Sequence, residues 1–181
     1  SLSAVHEFIL FPQQPQSGNC FYLVLDADAP LDGNVLTLNF TGAQGAPTGI
    51  DPNHPPRRWE AWDGESWIEA LLSEADDTTN GFSFNENAEE DDLSEQSGDV
   101  MLHLPESCPV STFSAYRGRW IRCVLAEPSL HQPAYSNPPR IKTIALEAIG
   151  GSVQASQSVM VEEELLGVSN GKPGQSFDTE T

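Results

Sequence analysis

Hydrophobic residues recur at every second position in several short runs of this chain, the period of a strand with one buried face. In Val35-Leu36-Thr37-Leu38-Asn39-Phe40, Leu36, Leu38 and Phe40 share one side and Thr37 and Asn39 share the other. Val100, Leu102 and Leu104 alternate with Met101 and His103 until Pro105 ends the run. Residues 120–125 form a near-continuous apolar run broken by Arg122, which fits a central strand, and residues 21–25 are similar. A last long strand is expected over 141–149.

Turn chemistry punctuates these runs at short intervals. Asp32-Gly33 separates 21–25 from 35–40, and Asp63-Gly64 lies between 58–62 and 66–71. A DG pair between aromatic-rich runs predicts a hairpin. Asn80-Gly81, Ser97-Gly98 and Arg117-Gly118 predict further corners. Residues 66–75 could form a helical turn on propensity, but a strand running into a loop fits the neighbouring pattern better. Residues 42–56 hold three Gly and four Pro and cannot lie inside a sheet. Residues 85–96 carry six acidic side chains around Leu93 and read as an exposed excursion, and 127–139 is a Pro-punctuated loop. The expected fold is all-β: an antiparallel β-sandwich, jelly-roll-like or Ig-like, over residues 1–150. After Gly150-Gly151 the pattern changes, and 151–181 reads as a C-terminal connector leading into a following domain.

Composition narrows the partners. With 27 acidic and 8 basic residues the formal net charge is −19. That field repels phosphate backbones and anionic lipid, so neither nucleic acid nor a membrane is an expected partner. Basic proteins and cations remain compatible partners; the alternative reading is that the charge only keeps an exposed surface soluble. No apolar run approaches the roughly 18 residues of a membrane span. The first residues lack both a basic region and a long apolar core, so they are not read as a signal peptide. A start without Met and a polar end predict a segment of a longer protein. Cys20, Cys108 and Cys123 are odd in number and contain no CxxC pair, which fits synthesis in a reducing cytosol. Cys123 is expected to act as a small core residue.

Chemistry-bearing patterns are sparse. His6, His54, His103 and His131 stand apart from one another and from Cys at ligand spacing, so no metal site is expected. Phosphate loops, nucleophile elbows and HExxH pairs do not occur, and the carboxylates cluster in loops. Neither the acidic excursion nor Asp26, Asp28 and Asp32 keeps the register of a calcium loop. No catalytic residue and no cofactor is therefore expected. The aromatic group Trp59, Trp62 and Trp67, with Trp120 further on, is the most distinctive feature. Trp59 and Trp62, three apart on a strand, should face opposite sides. They read either as core and contact residues or as a sugar-stacking platform of a carbohydrate-binding sandwich.

Several segments, in order, carry a resemblance. Arg58-Trp59-Glu60-Ala61-Trp62-Asp63-Gly64-Glu65-Ser66-Trp67 resembles a Trp-DG-Trp stretch of the large baseplate assembly proteins. These belong with the baseplate J-like wedge proteins of contractile phage tails and phage-tail-like injection systems. Asp76-Asp77-Thr78 with Gly81-Phe82 is similar to that family's DDT corner, and Ser97-Gly98 with Val100, Leu102, Leu104 and Pro105 to its SG strand. Gly118-Arg119-Trp120-Ile121-Arg122-Cys123 resembles its WIRC strand, and Tyr135, Pro139 and Ile141 the approach to its next strand. Phe21-Tyr22-Leu23 and residues 36–40 are similar to its opening strands. The run from Leu166-Gly167 through Asn170-Gly171-Lys172-Pro173-Gly174-Gln175 to Phe177 resembles its PGQ signature. The matches span about 20–177; the acidic stretch 83–96 departs from the family by its length.

The resemblance implies a virion-assembly structural protein, cytoplasmic while it assembles and afterwards part of a virion or an extracellular contractile particle. Its implied partners are other baseplate, spike or hub and sheath proteins in a symmetric multi-subunit assembly. It implies no catalytic residue. As structural or interface candidates it marks Trp59, Trp62, Asp63, Gly64, Trp67, Trp120, Arg122, Gly171, Pro173, Gly174 and Gln175.

Overall fold

Each alternating run becomes a strand whose apolar side is buried. The computed structural model describes residues 8–42, 48–84 and 96–149. Its strands are β1 (Phe8–Ile9), β2 (Cys20–Leu25), β3 (Val35–Gly42), β4 (Arg57–Trp62), β5 (Trp67–Glu69), β6 (Gln96–His103), β7 (Ser111–Phe113), β8 (Tyr116–Leu125) and β9 (Arg140–Ala148). A single 3-10 turn spans Glu74–Asp76, and no α-helix occurs among the described residues. The connector over 151–181 and the acidic stretch 85–95 lie outside them.

Pairing is antiparallel throughout and nested: β4 with β5, β3 with β6, β2 with β8, and β1 with β9. One sheet runs β1-β9-β3-β6, the other β2-β8-β4-β5, and β7 adds a short hairpin to β8. Successive nested pairs thus alternate between the sheets, as when a chain doubled at the β4–β5 turn is wound around a barrel. That is jelly-roll winding, and it decides between the two expected sandwich types.

The core lies between the sheets. Leu36, Leu38 and Phe40 of β3 and Val100 and Leu102 of β6 face Trp59 and Ala61 of β4 and Ile121 and Cys123 of β8, all of them fully buried. Phe40, Trp59 and Phe82 form its aromatic centre, with ring centroids 5.2–6.1 Å apart. An indole buries roughly 200 Å² of surface, so Trp59 contributes on the order of 5 kcal/mol before entropy is counted. β8, paired with both β2 and β4, is the central strand its apolar run predicted. β2 differs from β8 because among the described residues it pairs on one edge only, and it keeps a strict alternation, with Phe21, Leu23 and Leu25 inside and Tyr22 and Val24 outside.

Two expected corners are strand interiors instead. Ser97-Gly98 belongs to β6, and Arg117-Gly118 belongs to β8. Both glycines are needed for close approach, not for turning. A Cβ on Gly98 would sit 2.8–2.9 Å from the Thr78–Thr79 backbone, and one on Gly118 would meet the Leu25 carbonyl. The β7–β8 turn falls at Ser114, in the left-handed region (φ 51°). The other turn signals hold. β4 and β5 form the expected hairpin around Asp63-Gly64, and β5 runs into a loop as read for 66–75. The Asp32-Gly33 turn carries the chain from one sheet to the other.

The Asn80-Gly81 corner is held by a buried ionic network. Arg57, 1% exposed, donates to both carboxylate oxygens of Glu74 at 3.0 and 2.7 Å and to Asp77 Oδ2 at 2.5 Å. Asp77 also accepts from the Thr79 backbone N–H and hydroxyl and from the Gly81 N–H. These bonds hold a segment in which Asn80, Gly81, Phe82 and Phe84 all take positive φ, so Phe82 can reach the core. Tyr135 closes the network by donating from its hydroxyl to the Gly81 carbonyl at 2.8 Å.

Candidate functional site

The outward face of the β2-β8-β4-β5 sheet breaks the usual rule that a solvent-facing side of a sheet is polar. Cross-strand register sets Tyr22 beside Arg122, Arg122 beside Glu60, and Glu60 beside Glu69, a polar row across four strands. Next to that row lie Trp62 and Trp67, directly paired, and Trp120 of β8. Phe113 of β7 reaches over from the added hairpin and completes an aromatic patch.

The rings interlock. Phe113 packs edge-on against Trp120 at 5.0 Å and Trp62 at 5.3 Å, and Trp62 packs edge-on against Trp67 at 5.5 Å. Tyr22 touches both Trp67 and Trp120 at about 6 Å. Trp120, buried under these neighbours, donates its indole N–H to the Ser111 carbonyl at 3.0 Å and so ties β7 to β8. Tyr22, Trp62, Trp67 and Phe113 stay half-exposed.

Arg122 is the charged centre of this face. Its guanidinium lies 4.3 Å from the Trp67 ring centroid, a cation–π contact, and donates to Glu60 Oε2 at 2.6 Å from Nε. The ion pair holds the guanidinium over the indole, where it loses little entropy on meeting a partner. Burial, with the neighbouring Cys20, pushes the Tyr22 hydroxyl up to about 12, so it stays a protonated donor. Burial likewise raises the Cys20 thiol.

The expected site residues divide by role. Trp59 is core, on the opposite side of β4 from Trp62 as the spacing required. Asp63 shapes the hairpin: its Oδ1 accepts from the Glu65 and Ser66 backbone N–H groups at 2.7 Å each, which holds its carboxyl below the usual range. Gly64 sits in the same turn at φ 107°, a conformation that favours glycine. Trp62, Trp67, Trp120 and Arg122 come together on the outer face. Gly171, Pro173, Gly174 and Gln175 lie outside the described residues. Sequence reading missed Tyr22, Glu60 and Phe113 as members. Tyr22 was visible as the outward residue of an alternating run, whereas Phe113 sits in a three-residue strand with no period to reveal it.

The patch offers apolar contact, ring edges and one pre-positioned guanidinium, which is binding chemistry. Glu60 spends its carboxylate on Arg122. Among the described residues no group of three or more His, Cys, Asp and Glu is arranged to hold a metal. Among the same residues no helix is long and apolar enough to cross a membrane. Cys20, Cys108 and Cys123 are free thiols, the latter two buried. Comparison with protein-family models, curated proteins and solved structures finds no match to this chain.

Proposed function

We propose that this chain is a non-catalytic structural module of a contractile-tail or injection-particle baseplate, working through protein–protein contacts in the wedge around the central spike. The observation that carries the contact function is the half-exposed aromatic face with Arg122 laid on Trp67, since Trp, Tyr, Phe and Arg dominate the binding energy of protein interfaces. The baseplate assignment rests on the ordered motif resemblance alone. The residues of those motifs fall at structural positions: Trp59 in the core, Asp77 at the buried corner, Gly98 against that corner and Ile121 in the central strand. Such residues specify a fold, as expected of a structural family whose members share architecture more than a reaction.

The sugar-platform alternative gains less support. Trp59, one of the three Trp residues of that platform, is buried, and Trp62 meets both Trp67 and Phe113 edge-on, which leaves only Trp67 and Phe113, 26° from parallel with centroids 6.3 Å apart, as a pair of aligned rings. In this reading the chain assembles in the cytoplasm and ends in a virion or an extracellular contractile particle. The test is to tag the gene in its host and purify contractile particles. Co-purification in fixed stoichiometry with sheath, tube and spike proteins is the expected result. Particles that assemble and fire without the protein, or a genome with no sheath and tube genes, would overturn it.

A further inference from the structure

We infer that the open edge of β2 pairs antiparallel with β2 of a second copy of this chain, joining two sheets across a two-fold axis at Tyr22. The inference rests on strand geometry and stands or falls apart from the baseplate reading.

A sheet edge presents unpaired backbone groups, and proteins blunt such edges with short strands, charges, proline or a covering segment. The other edges among the described residues carry such devices. β1 has two residues, and β5 and β7 have three each. β6 is covered: the His103 N–H donates to the Ala70 carbonyl at 2.7 Å, and the Thr78 N–H donates to the Asp99 carbonyl at 2.8 Å. The stretch of β9 beyond its pairing with β1 carries Lys142 and Glu147. β2 has none of this. Its six residues, Cys20 to Leu25, hold no charge and no proline, and among the described residues the strand pairs with β8 alone.

The ladder with β8 tells which groups are open. The Leu125 N–H donates to the Asn19 carbonyl at 2.9 Å, so alternation points the backbone groups of Phe21, Leu23 and Leu25 at β8. Those of Cys20, Tyr22 and Val24 point to the free side, where no backbone hydrogen bond reaches them among the described residues. Their side chains are the partly exposed ones of the strand.

Register then selects the occupant. With the axis at Tyr22, Cys20 meets the second copy's Val24 and Tyr22 meets its own counterpart. Every open N–H and C=O of both strands is then bonded in a single register, and the pairing closes on itself. Any slip leaves open groups unpaired at both ends. No like charges are opposed. Asp26, the first acid beyond the strand, falls opposite the second copy's Gly18. The two Asp26 side chains stand about 27 Å apart at ~3.4 Å per residue, well outside the ~10 Å screening length. Because Tyr22 touches Trp67 and Trp120, the pairing also sets two aromatic faces side by side.

Sedimentation velocity of the purified chain over a wide concentration range, at 150 mM salt, tests the pairing. The expected result is a reversible, closed dimer. Amide exchange of Tyr22 and Val24 should slow severalfold as the dimer forms, while Phe21 and Leu23, already bonded to β8, change less; this measurement needs no variant. Tyr22→Lys sets two ammonium groups face to face across the axis, and Tyr22→Glu two carboxylates, so each alone should dimerise several-fold more weakly. An equimolar mixture of the two should recover the dimer, a result that damage to the fold cannot give. Val24→Pro removes an edge N–H that β8 does not use, which an edge strand tolerates, and should give a folded monomer. A chain that stays monomeric throughout overturns the inference, as does a dimer indifferent to all three variants or a mixture no stronger than its parts. Strand addition at this edge by a different protein, without self-association, overturns it too. A monomeric chain found in contractile particles would remove this inference and spare the baseplate reading. A β2 dimer from a genome without tail genes would do the reverse.

Discussion

Replacing Asp77 with Ala should unfold this protein more readily than any other single change at its buried corner. Asp77 is 1% exposed and accepts four hydrogen bonds: from Arg57, from the Thr79 N–H and hydroxyl, and from the Gly81 N–H. Removing it leaves the Arg57 guanidinium buried with Glu74, itself 51% exposed, as its remaining ion-pair partner. It also strands two backbone donors in a segment of positive φ that has little intrinsic preference for its shape. Breaking a buried pair from one side costs about 3–5 kcal/mol, and the lost backbone bonds place Asp77→Ala at the upper end. Arg57→Met should fall nearer 3 kcal/mol, because Asp77 keeps three of its donors. Glu74→Ala should cost no more than about 1 kcal/mol, since its side chain is half exposed and its ion pair is screened by water. Urea unfolding at 25 °C, followed by tryptophan fluorescence, reads all three. A cost below 1 kcal/mol for Asp77→Ala, or a larger cost for Glu74→Ala than for Asp77→Ala, would refute the argument that burial makes this network matter.

Two further predictions follow from packing and titration. Gly98→Ala pushes a methyl to within 2.8–2.9 Å of the Thr78–Thr79 backbone and should cost about 1–3 kcal/mol, read as a lower melting temperature; an unchanged value would refute the close-approach role. In alkali, burial holds the Cys108 thiol up at about 11 and the Tyr22 hydroxyl at about 12, and raises the Cys123 thiol as well. Folded values above unfolded ones mean that this stability is complete below the unfolded pKa and is lost as pH rises through the folded one. The urea midpoint should therefore fall from about pH 9 upward, where unfolded thiols begin to ionise, and a midpoint flat from pH 8 to 11 would contradict this.

Much of the sandwich was legible in the sequence. Leu36, Leu38 and Phe40, and Val100 with Leu102, announced strands and their buried faces, because a period of two sorts side chains by face before any partner is known. Asp63-Gly64 announced its hairpin because the turn's geometry is local. The three-residue spacing of Trp59 and Trp62 placed them on opposite faces for the same reason. Glycine was read wrongly where its cause was distant: Gly98 and Gly118 make room for the backbones of residues 78–79 and Leu25, and nothing nearby in the chain reports that.

What only the tertiary structure decided is what long-range pairing creates. The nested order that makes the sandwich a jelly roll depends on which strands meet, and each strand's pattern fits several partners. The Arg57–Asp77 pair, the Gly98 contact and the outer face that gathers residues from β2, β4, β5, β7 and β8 exist only once that order is set. Local pattern determined which side of each strand faces inward; register across the sheets determined which outward side chains became neighbours.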